Sequence, residues 1–278
     1  SLHSVCVRIL RGDIAKVGCP ASVTIYDTDD SLRVIKESLK ALNMDDKSFP
    51  PRSVLGYISR AKDDMQLAED FLEQAKAQGD FRLQKIGNVY LAYQKKLWAA
   101  GALDFDDIIL HTVRLLQKFP EVREYYQRKF HYVLIDEYQD TNHLQYLLAA
   151  LLAGERKNIC VVGDDDQSIY RFRGATIENI LSFESEYKNA RVIRLEQNYR
   201  STGNILEAAN AVIRNNRGRK GKNLWTDHGE GEKVRFYTAG NEREEGMYVA
   251  TQLLKAYGEG RQWRDCAVLY RMNALSNQ

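Results

Sequence analysis

The chain has 278 residues, 44% of them hydrophobic and 28% charged, and its net charge is +2. This composition is that of a globular protein with about two domains. No apolar run approaches the roughly 18 residues of a membrane span and no signal-peptide pattern opens the chain, so no membrane partner is expected. Because the net charge is small, any surface that binds nucleic acid must be a local basic patch.

The four cysteines show no metal-ligand spacing, and each has apolar neighbours in the sequence: Cys6, Cys19, Cys160 and Cys266. This pattern predicts buried thiols in a reducing compartment, and therefore a cytoplasmic protein.

The first half of the chain is predicted to be helical. Residues 1–11 form a helix that ends at Gly12, and residues 29–130 are almost wholly helical, with apolar residues at helical spacing. Capping signals and breaks divide this region at Asp29-Asp30-Ser31, Pro50-Pro51, Asp63-Asp64, Asp80 and Gly101.

The second half is predicted to alternate between strands and helices. The five predicted strands are "YVLID" (132–136), "NICVVGD" (158–164), "RVIRL" (191–195), "KVRFYT" (233–238) and "CAVLYR" (266–271). The helices between them span residues 141–154, 177–187, 203–216 and 242–258. This alternation indicates an α/β fold with parallel sheets and right-handed crossovers. Residues 217–233 lack periodicity and are rich in glycine and charge, so they are predicted to be a linker.

"VLIDEYQDTN" (133–142) places two acids at the end of a predicted strand. Asp136 is suited to hold Mg²⁺ through water, and Glu137 to polarise an attacking water. An acidic cap on the following helix, with Asp140-Thr141, explains the same residues equally well. Nucleotide hydrolysis also requires a glycine-rich loop with a lysine, whereas the chain has a single Gly-Lys dipeptide, Gly221-Lys222, outside any such loop.

"VVGDDDQSIYRFRGA" (161–175) follows the second predicted strand of this half. Gln167 could bond a terminal phosphate through its amide. Tyr170 and Phe172 alternate with arginines, which suits single-stranded nucleic acid because bases stack on rings and phosphates meet guanidinium groups. A core position for the two rings is the alternative, but a segment this charged is a poor core.

"LEQNYRST" (195–202) leads from the third predicted strand into a helix. Arg200 could reach a phosphate with the planar donors of its guanidinium group, although arginines near helix starts are common.

Together, the three segments resemble the motifs of the UvrD/PcrA/Rep group of superfamily 1 DNA helicases, in their order and wording. Three further segments resemble elements of the family. "SLHSVCVRILR" resembles its "TFHS" motif, "ALDFDDII" resembles another family element, and "AVLYRMNALSNQ" resembles the strand before a large insertion. The resemblance covers the whole chain. In the family the glycine-rich loop precedes the "TFHS" motif, so the chain is expected to be an internal piece of a longer helicase that also lacks the C-terminal motifs.

The resemblance implies a RecA-like parallel-sheet motor domain of the P-loop NTPase type, truncated, with a helical insertion and the start of a second RecA-like domain. Residues 1–19 and 104–202 would form the first RecA-like domain, residues 20–103 the helical insertion, and residues 203–278 a linker and the start of the second domain. The implied function is ATP-driven translocation 3′ to 5′ on single-stranded DNA with unwinding of duplex DNA, in repair or replication. The fragment alone would be inactive, and its protein partners are not specified.

The resemblance also assigns roles within an ATP and Mg²⁺ site. Asp136 would hold the ion, Glu137 would act as base, Gln167 would sense the terminal phosphate, Arg200 would be the arginine finger, and Tyr199 would stack on adenine. The residues expected to line the DNA track are His3, Ser4, Tyr170, Phe172 and Arg173.

Three residues depart from the family pattern. Leu2 stands where Phe is frequent, Phe172 stands where Trp is frequent, and Asp165 adds a charge beside the phosphate sensor.

Two other functions remain open. One is a catalytically silent DNA-binding or interaction module on a helicase scaffold. The other is a metal-dependent nuclease that uses Asp136, Glu137, Asp164 and Asp166 as two-metal ligands.

Overall fold

The computed structural model describes residues 2–18, 23–170 and 174–272. The chain divides into two compact units, which are described separately. The first unit contains residues 1–194 and 217–221, and the second contains residues 195–216 and 222–278. In the described part of the chain, no helix has both the length and the apolar character that a membrane crossing requires.

Helices make up most of the first unit. The eight longer ones are α1 (Leu2–Asp13), α2 (Thr28–Ala41), α3 (Pro51–Asp63), α4 (Ala68–Ala77), α5 (Phe81–Ala99), α6 (Phe105–Lys118), α7 (Pro120–Lys129) and α8 (His143–Ala153). Two one-turn helices follow, α9 (Glu178–Leu181) and α10 (Phe183–Glu186), where one continuous helix was predicted.

Local capping chemistry sets several helix boundaries. Asp80 caps α5 as predicted, since its carboxylate accepts the Leu83 N–H at 2.9 Å. The predicted start at Asp29-Asp30-Ser31 is slightly late, because Asp27 is the cap of α2 and accepts the Asp30 N–H at 2.9 Å. The division predicted at Asp63-Asp64 is confirmed as the end of α3, whose C-cap is Asp64. The helix α3 begins at Pro51, whose fixed φ suits a first helical turn.

Two hydrophobic clusters form the core of the first unit. One joins α1, α6, α7 and α8 and includes Cys6, Ile9, Val113 and Leu148. The other joins α2, α3 and α5 and includes Ile35, Ile58 and Tyr90. The apolar stripes predicted from helical spacing therefore face one another.

Four short strands form two parallel pairs. β1 (Thr24–Ile25) pairs with β2 (Ala102–Leu103), and β3 (Val133–Ile135) pairs with β4 (Ile159–Val161). The mixture of helices and parallel strands fits the predicted α/β class. β3 and β4 confirm the strands predicted at 132–136 and 158–164.

The other three predicted strands are wrong for this structure. Residues 191–195, 233–238 and 266–271, all within the described part, form no strand. The side chains of Leu195, Phe236 and Leu269 are 77%, 94% and 94% exposed. A strand requires a neighbouring strand that takes its backbone hydrogen bonds, and no described segment pairs with these three as a strand.

The second unit is built on α11 (Gly203–Ile213) and α12 (Glu242–Gly258). Backbone bonds tie the start of α11 to the segment that follows it, from Gly203 N–H to Gly229 C=O at 2.8 Å and from Asn204 N–H to Glu230 C=O at 2.9 Å. The region predicted as a linker is irregular, as expected, but these bonds attach its second half to the second unit.

The prediction of buried thiols holds for one of the three described cysteines. Cys6 is buried, Cys160 is exposed, and Cys266 is intermediate, while Cys19 lies outside the described residues. Cys160 is exposed because it lies on the uncovered face of the β3–β4 pair, where its register partner Leu134 is 74% exposed.

Candidate functional site

The carboxyl ends of β3 and β4 bring two of the three sequence motifs together. Because the strands are parallel, both chains leave the pair at the same edge. Val162 N–H donates to Ile135 C=O at 2.8 Å, and Tyr138 N–H donates to Val162 C=O at 2.9 Å. The acids after β3 therefore lie against the loop after β4, as the order of the motifs implied.

Asp136 and Glu137 are both exposed at this edge. The Asp136 carboxylate accepts the backbone N–H of Glu137 at 2.9 Å. Glu137 has a left-handed backbone, with φ of 52°. This conformation costs a residue with a side chain about 1–2 kcal/mol. Strained backbone of this kind concentrates at functional sites, so it favours a chemical role for Glu137 over a plain helix cap.

Gln139 is the residue that sequence reasoning missed. Its side chain is fully buried, and its amide nitrogen donates to Glu137 Oε2 at 2.8 Å. Its amide oxygen accepts the backbone N–H of Asp164 at 2.9 Å. The available signal was an amide placed within an otherwise acidic stretch, since glutamine both donates and accepts.

Gln167 is exposed and lies in the loop after β4. Its amide nitrogen donates to Asp164 Oδ2 at 2.7 Å, while Asp164 Oδ1 accepts the Asp166 N–H at 3.0 Å. Asp164 thus organises the loop and holds the amide of Gln167. Glu137 and Gln167 are connected through two intermediate residues: the side chain of Gln139, and the backbone N–H and carboxylate of Asp164.

The additional acids of this loop bind residues 217–221. Arg219 donates from Nε to Asp166 Oδ1 at 2.7 Å and from Nη2 to Asp166 Oδ2 at 2.5 Å. Asp165 accepts the backbone N–H of Lys220 at 2.7 Å. Asp165 departs from the family pattern, and its carboxylate anchors residues 217–221. These residues belong to the first unit, although the residues on either side of them belong to the second.

These contacts weaken the two-metal nuclease alternative. Among the described residues, only Asp164, Asp165 and Asp166 have ligand atoms close enough together, within 4.8 Å, to hold an ion as a group. Asp166 faces a guanidinium group and Asp164 holds Gln167. Asp136 and Glu137 are not part of that group.

The residues expected on the DNA track have mixed positions. The ring of His3 meets the ring of Phe105 edge to face at 5.6 Å, and burial lowers the pKa of His3. Ser4 is exposed on the same helix, and Tyr170 is 38% exposed after β4. Phe172 and Arg173 lie outside the described residues.

Tyr199 and Arg200 belong to the second unit, and both are exposed. The Tyr199 hydroxyl donates to Gln197 Oε1 at 2.8 Å. Asn198 Oδ1 accepts the backbone N–H groups of Arg200 at 2.9 Å and Ser201 at 2.8 Å, which fixes the turn that enters α11. The strand predicted before this turn does not form, so a sheet edge is not what positions Arg200.

Comparisons with known proteins agree with the motifs. Residues 1–188 match the UvrD/REP helicase N-terminal domain, and residues 193–278 match the UvrD-like helicase C-terminal domain. The chain is 53% identical over 277 residues to the ATP-dependent DNA helicase PcrA of Bacillus subtilis (strain 168). It is 50% identical over 276 residues to proteins of the same name from Staphylococcus epidermidis and Staphylococcus aureus.

Each of these alignments covers 99% of this chain and 37% of the relative, so the chain spans little more than a third of their length. The two family matches cover nearly all of the chain, and the described contacts join the family's second and third motifs. The chain belongs to the UvrD/Rep helicase family.

Proposed function

We propose that the protein containing this chain is an ATP-driven motor that moves 3′ to 5′ along single-stranded DNA and separates duplex DNA. The observation that carries the proposal is the set of contacts from Glu137 through Gln139 and Asp164 to Gln167. A residue suited to activate water and a residue suited to sense a phosphate are thereby held at one sheet edge. The relatives are named as ATP-dependent DNA helicases, which agrees with this proposal.

The residues at this edge fit half of an ATP and Mg²⁺ site. Asp136 is an exposed carboxylate, which suits an ion that keeps several waters and contacts few protein oxygens. When bound, the ion would neutralise charge on the phosphates. Glu137 would take a proton from the attacking water, and Gln167 would leave Asp164 to bond the terminal phosphate.

Two further residues are proposed to contact the nucleotide. Arg200 would meet charge that develops on the transferring phosphoryl group, and Tyr199, with 72% of its side chain exposed, would stack on adenine. We also propose that the domain boundaries lie at 19/20, 103/104 and 202/203, and that the first and second motor domains have the RecA-like fold.

The DNA track is proposed to include His3, Ser4, Tyr170, Phe172 and Arg173. Tyr170 supports the assignment because an accessible aromatic ring can stack on an unpaired base. A role in repair or replication follows from DNA as the substrate. We place the protein in the cytoplasm because the motor requires ATP and DNA in one compartment.

The other half of a phosphate site is absent from these 278 residues, since no glycine-rich loop ends in Gly-Lys-Ser or Gly-Lys-Thr. The chain by itself is therefore expected to hydrolyse ATP negligibly.

The proposal is tested with the full-length protein by steady-state ATPase assays, with and without single-stranded DNA, and by strand separation. DNA-stimulated hydrolysis is expected, and Glu137→Gln should abolish it while nucleotide still binds. DNA binding without hydrolysis would instead identify the silent module. Divalent-metal cleavage of DNA without nucleotide would identify the nuclease.

A further inference from the structure

Gln139 is a fully buried side chain between two exposed catalytic candidates. It lies in the one-turn helix Tyr138–Asp140, while Glu137 before it and Gln167 in the facing loop are exposed. An amide buried without hydrogen bonds is costly, so a buried glutamine is expected to satisfy both ends of its side chain.

The two ends of the Gln139 amide bond two different motifs. The nitrogen donates to the Glu137 carboxylate at 2.8 Å, and the oxygen accepts the Asp164 N–H at 2.9 Å. A side-chain amide donates from one atom and accepts at another without carrying charge. Asp164 then continues the connection through its own carboxylate, which holds the Gln167 amide at 2.7 Å.

We propose that Gln139 is a positioning residue that holds the Glu137 carboxylate and the Gln167 loop in one arrangement for hydrolysis. The inference rests on the proposed function, because it assigns Gln139 a role toward the residues that would act on ATP.

The close packing of Gln139 against Gly163 leaves no room for a side chain at position 163. A Cβ at Gly163 would lie 2.7 Å from Gln139 Oε1 and 2.7 Å from Ile180 Cδ1. Gly163 does not need a left-handed backbone, so the close approach of Gln139 and Ile180 is what requires glycine here. A side chain at position 163 would therefore displace the amide.

The bond from Gln139 to Glu137 suits a general base. The N–H donor fixes the direction of the Glu137 carboxylate, and hydrogen bonds to charged groups are stronger than those between neutral groups. Reaction rates depend steeply on such placement, with losses on the order of 100-fold for displacements of about 1 Å.

The test is Gln139→Glu in the full-length protein, which keeps an acceptor for Asp164 but replaces the donor to Glu137 with a second carboxylate. We expect kcat for DNA-stimulated ATP hydrolysis to fall roughly 10- to 100-fold. We expect KM for ATP and the DNA affinity to stay within about twofold.

Gly163→Ala should displace the Gln139 amide without adding charge. It should lower kcat and speed hydrogen exchange of the Asp164 amide in the nucleotide-free protein, because that amide loses its acceptor. Gln139→Glu should leave that exchange nearly unchanged. Gln127→Glu is the matched control, since the Gln127 amide donates to Leu151 C=O at 2.7 Å in the same unit, away from both motifs.

Normal kcat in Gln139→Glu would overturn the inference, as would an equal loss of kcat in Gln127→Glu. Unchanged Asp164 exchange in Gly163→Ala would also overturn it. A wild-type protein without ATPase activity would overturn the proposed function itself, whereas an active wild type with an unaffected Gln139→Glu variant overturns this inference alone.

Discussion

Lys62 Nζ lies 2.6 Å from Asp104 Oδ2, and the side chain of Lys62 is wholly shielded from solvent. Asp107 Oδ1 lies 2.8 Å from the same ammonium group, and the Tyr93 hydroxyl donates to Asp104 Oδ2 at 2.7 Å. Burial alone would lower the pKa of Lys62, but the two carboxylates raise it well above its usual value. The helix α3 is thus bonded through a charged group to the start of α6.

Lys62→Met should destabilise the protein strongly, because two buried carboxylates lose their cation. We expect the free energy of unfolding to fall by about 3–5 kcal/mol. Urea denaturation followed by circular dichroism measures it. Lys96→Met is the control, since Lys96 pairs with Glu37 at 3.1 Å on the surface and should cost no more than about 1 kcal/mol. Equal losses in the two variants would contradict the prediction.

The segment "ALDFDDII" shows how far sequence reasoning reaches in this protein. Its likeness to a family element marks Asp104 and Asp107, and Asp104 caps α6 by accepting the Asp107 N–H at 2.8 Å. Their partner Lys62 is 42 residues away from Asp104. Local spacing predicts a cap, but a contact between distant helices depends on packing that the sequence pattern does not describe.

Asp63 should make stability depend on pH. Burial, followed by repulsion from Asp106 and Asp64, raises its pKa from 3.8 to about 7. The folded protein therefore binds a proton that the unfolded chain has already lost, and stability falls as pH rises from near 4 to about 7. Asp63→Asn should remove this fall, since an amide still accepts the 2.7 Å bond from Asn142.

The expected gain from Asp63→Asn is about 1–2 kcal/mol near pH 7.5 and none near pH 4, allowing for the partial exposure of Asp63. Unfolding free energies measured across this range test it. Asp46→Asn, at an exposed aspartate that is not among the groups acting on Asp63, is the control. If Asp63→Asn left the slope with pH unchanged, the pKa assignment would be wrong.

Arg219→Ala should loosen the Gln167 loop. The ion pair with Asp166 is bidentate, and its side chains are only 17% and 11% exposed, so its loss leaves a largely buried carboxylate without this cation. We expect faster proteolysis within residues 161–170, because local opening exposes the backbone of this loop. Arg217→Ala, two residues earlier and exposed, should leave proteolysis unchanged. Equal cleavage rates in both variants would count against the anchor.

The candidate site was predictable where neighbouring strands bring motifs together, and less so elsewhere. Parallel strands β3 and β4 put Asp136 and Gln167 at one edge, as the alternation of elements implied. The role of Gln139 was not predicted, because it depends on which side chains of the one-turn helix Tyr138–Asp140 face the interior. The strand predicted at 191–195 does not form. Apolar, β-branched residues favour a strand, but a neighbouring strand must also be present to pair with it.

Arg200→Lys should reduce DNA-stimulated ATP hydrolysis severely in the full-length protein. Arg200 follows a turn that Asn198 fixes through two backbone bonds, and its side chain is exposed, as a residue that reaches a bound phosphate must be. An arginine finger is worth about 10³–10⁵ in rate. Lysine keeps the charge but loses the planar pair of donors, so a large part of that factor should disappear.

The folding and the DNA affinity of Arg200→Lys should stay near normal, because the Asn198 bonds involve only the backbone of Arg200. Steady-state ATPase with saturating single-stranded DNA measures the rate, and fluorescence anisotropy measures the affinity. Arg214→Lys, an exposed arginine just after α11, is the matched control and should hydrolyse ATP normally. Near-normal turnover in Arg200→Lys would make Arg200 a surface cation at a helix start, since a residue that stabilises the transition state cannot lose its donor geometry without a loss of rate.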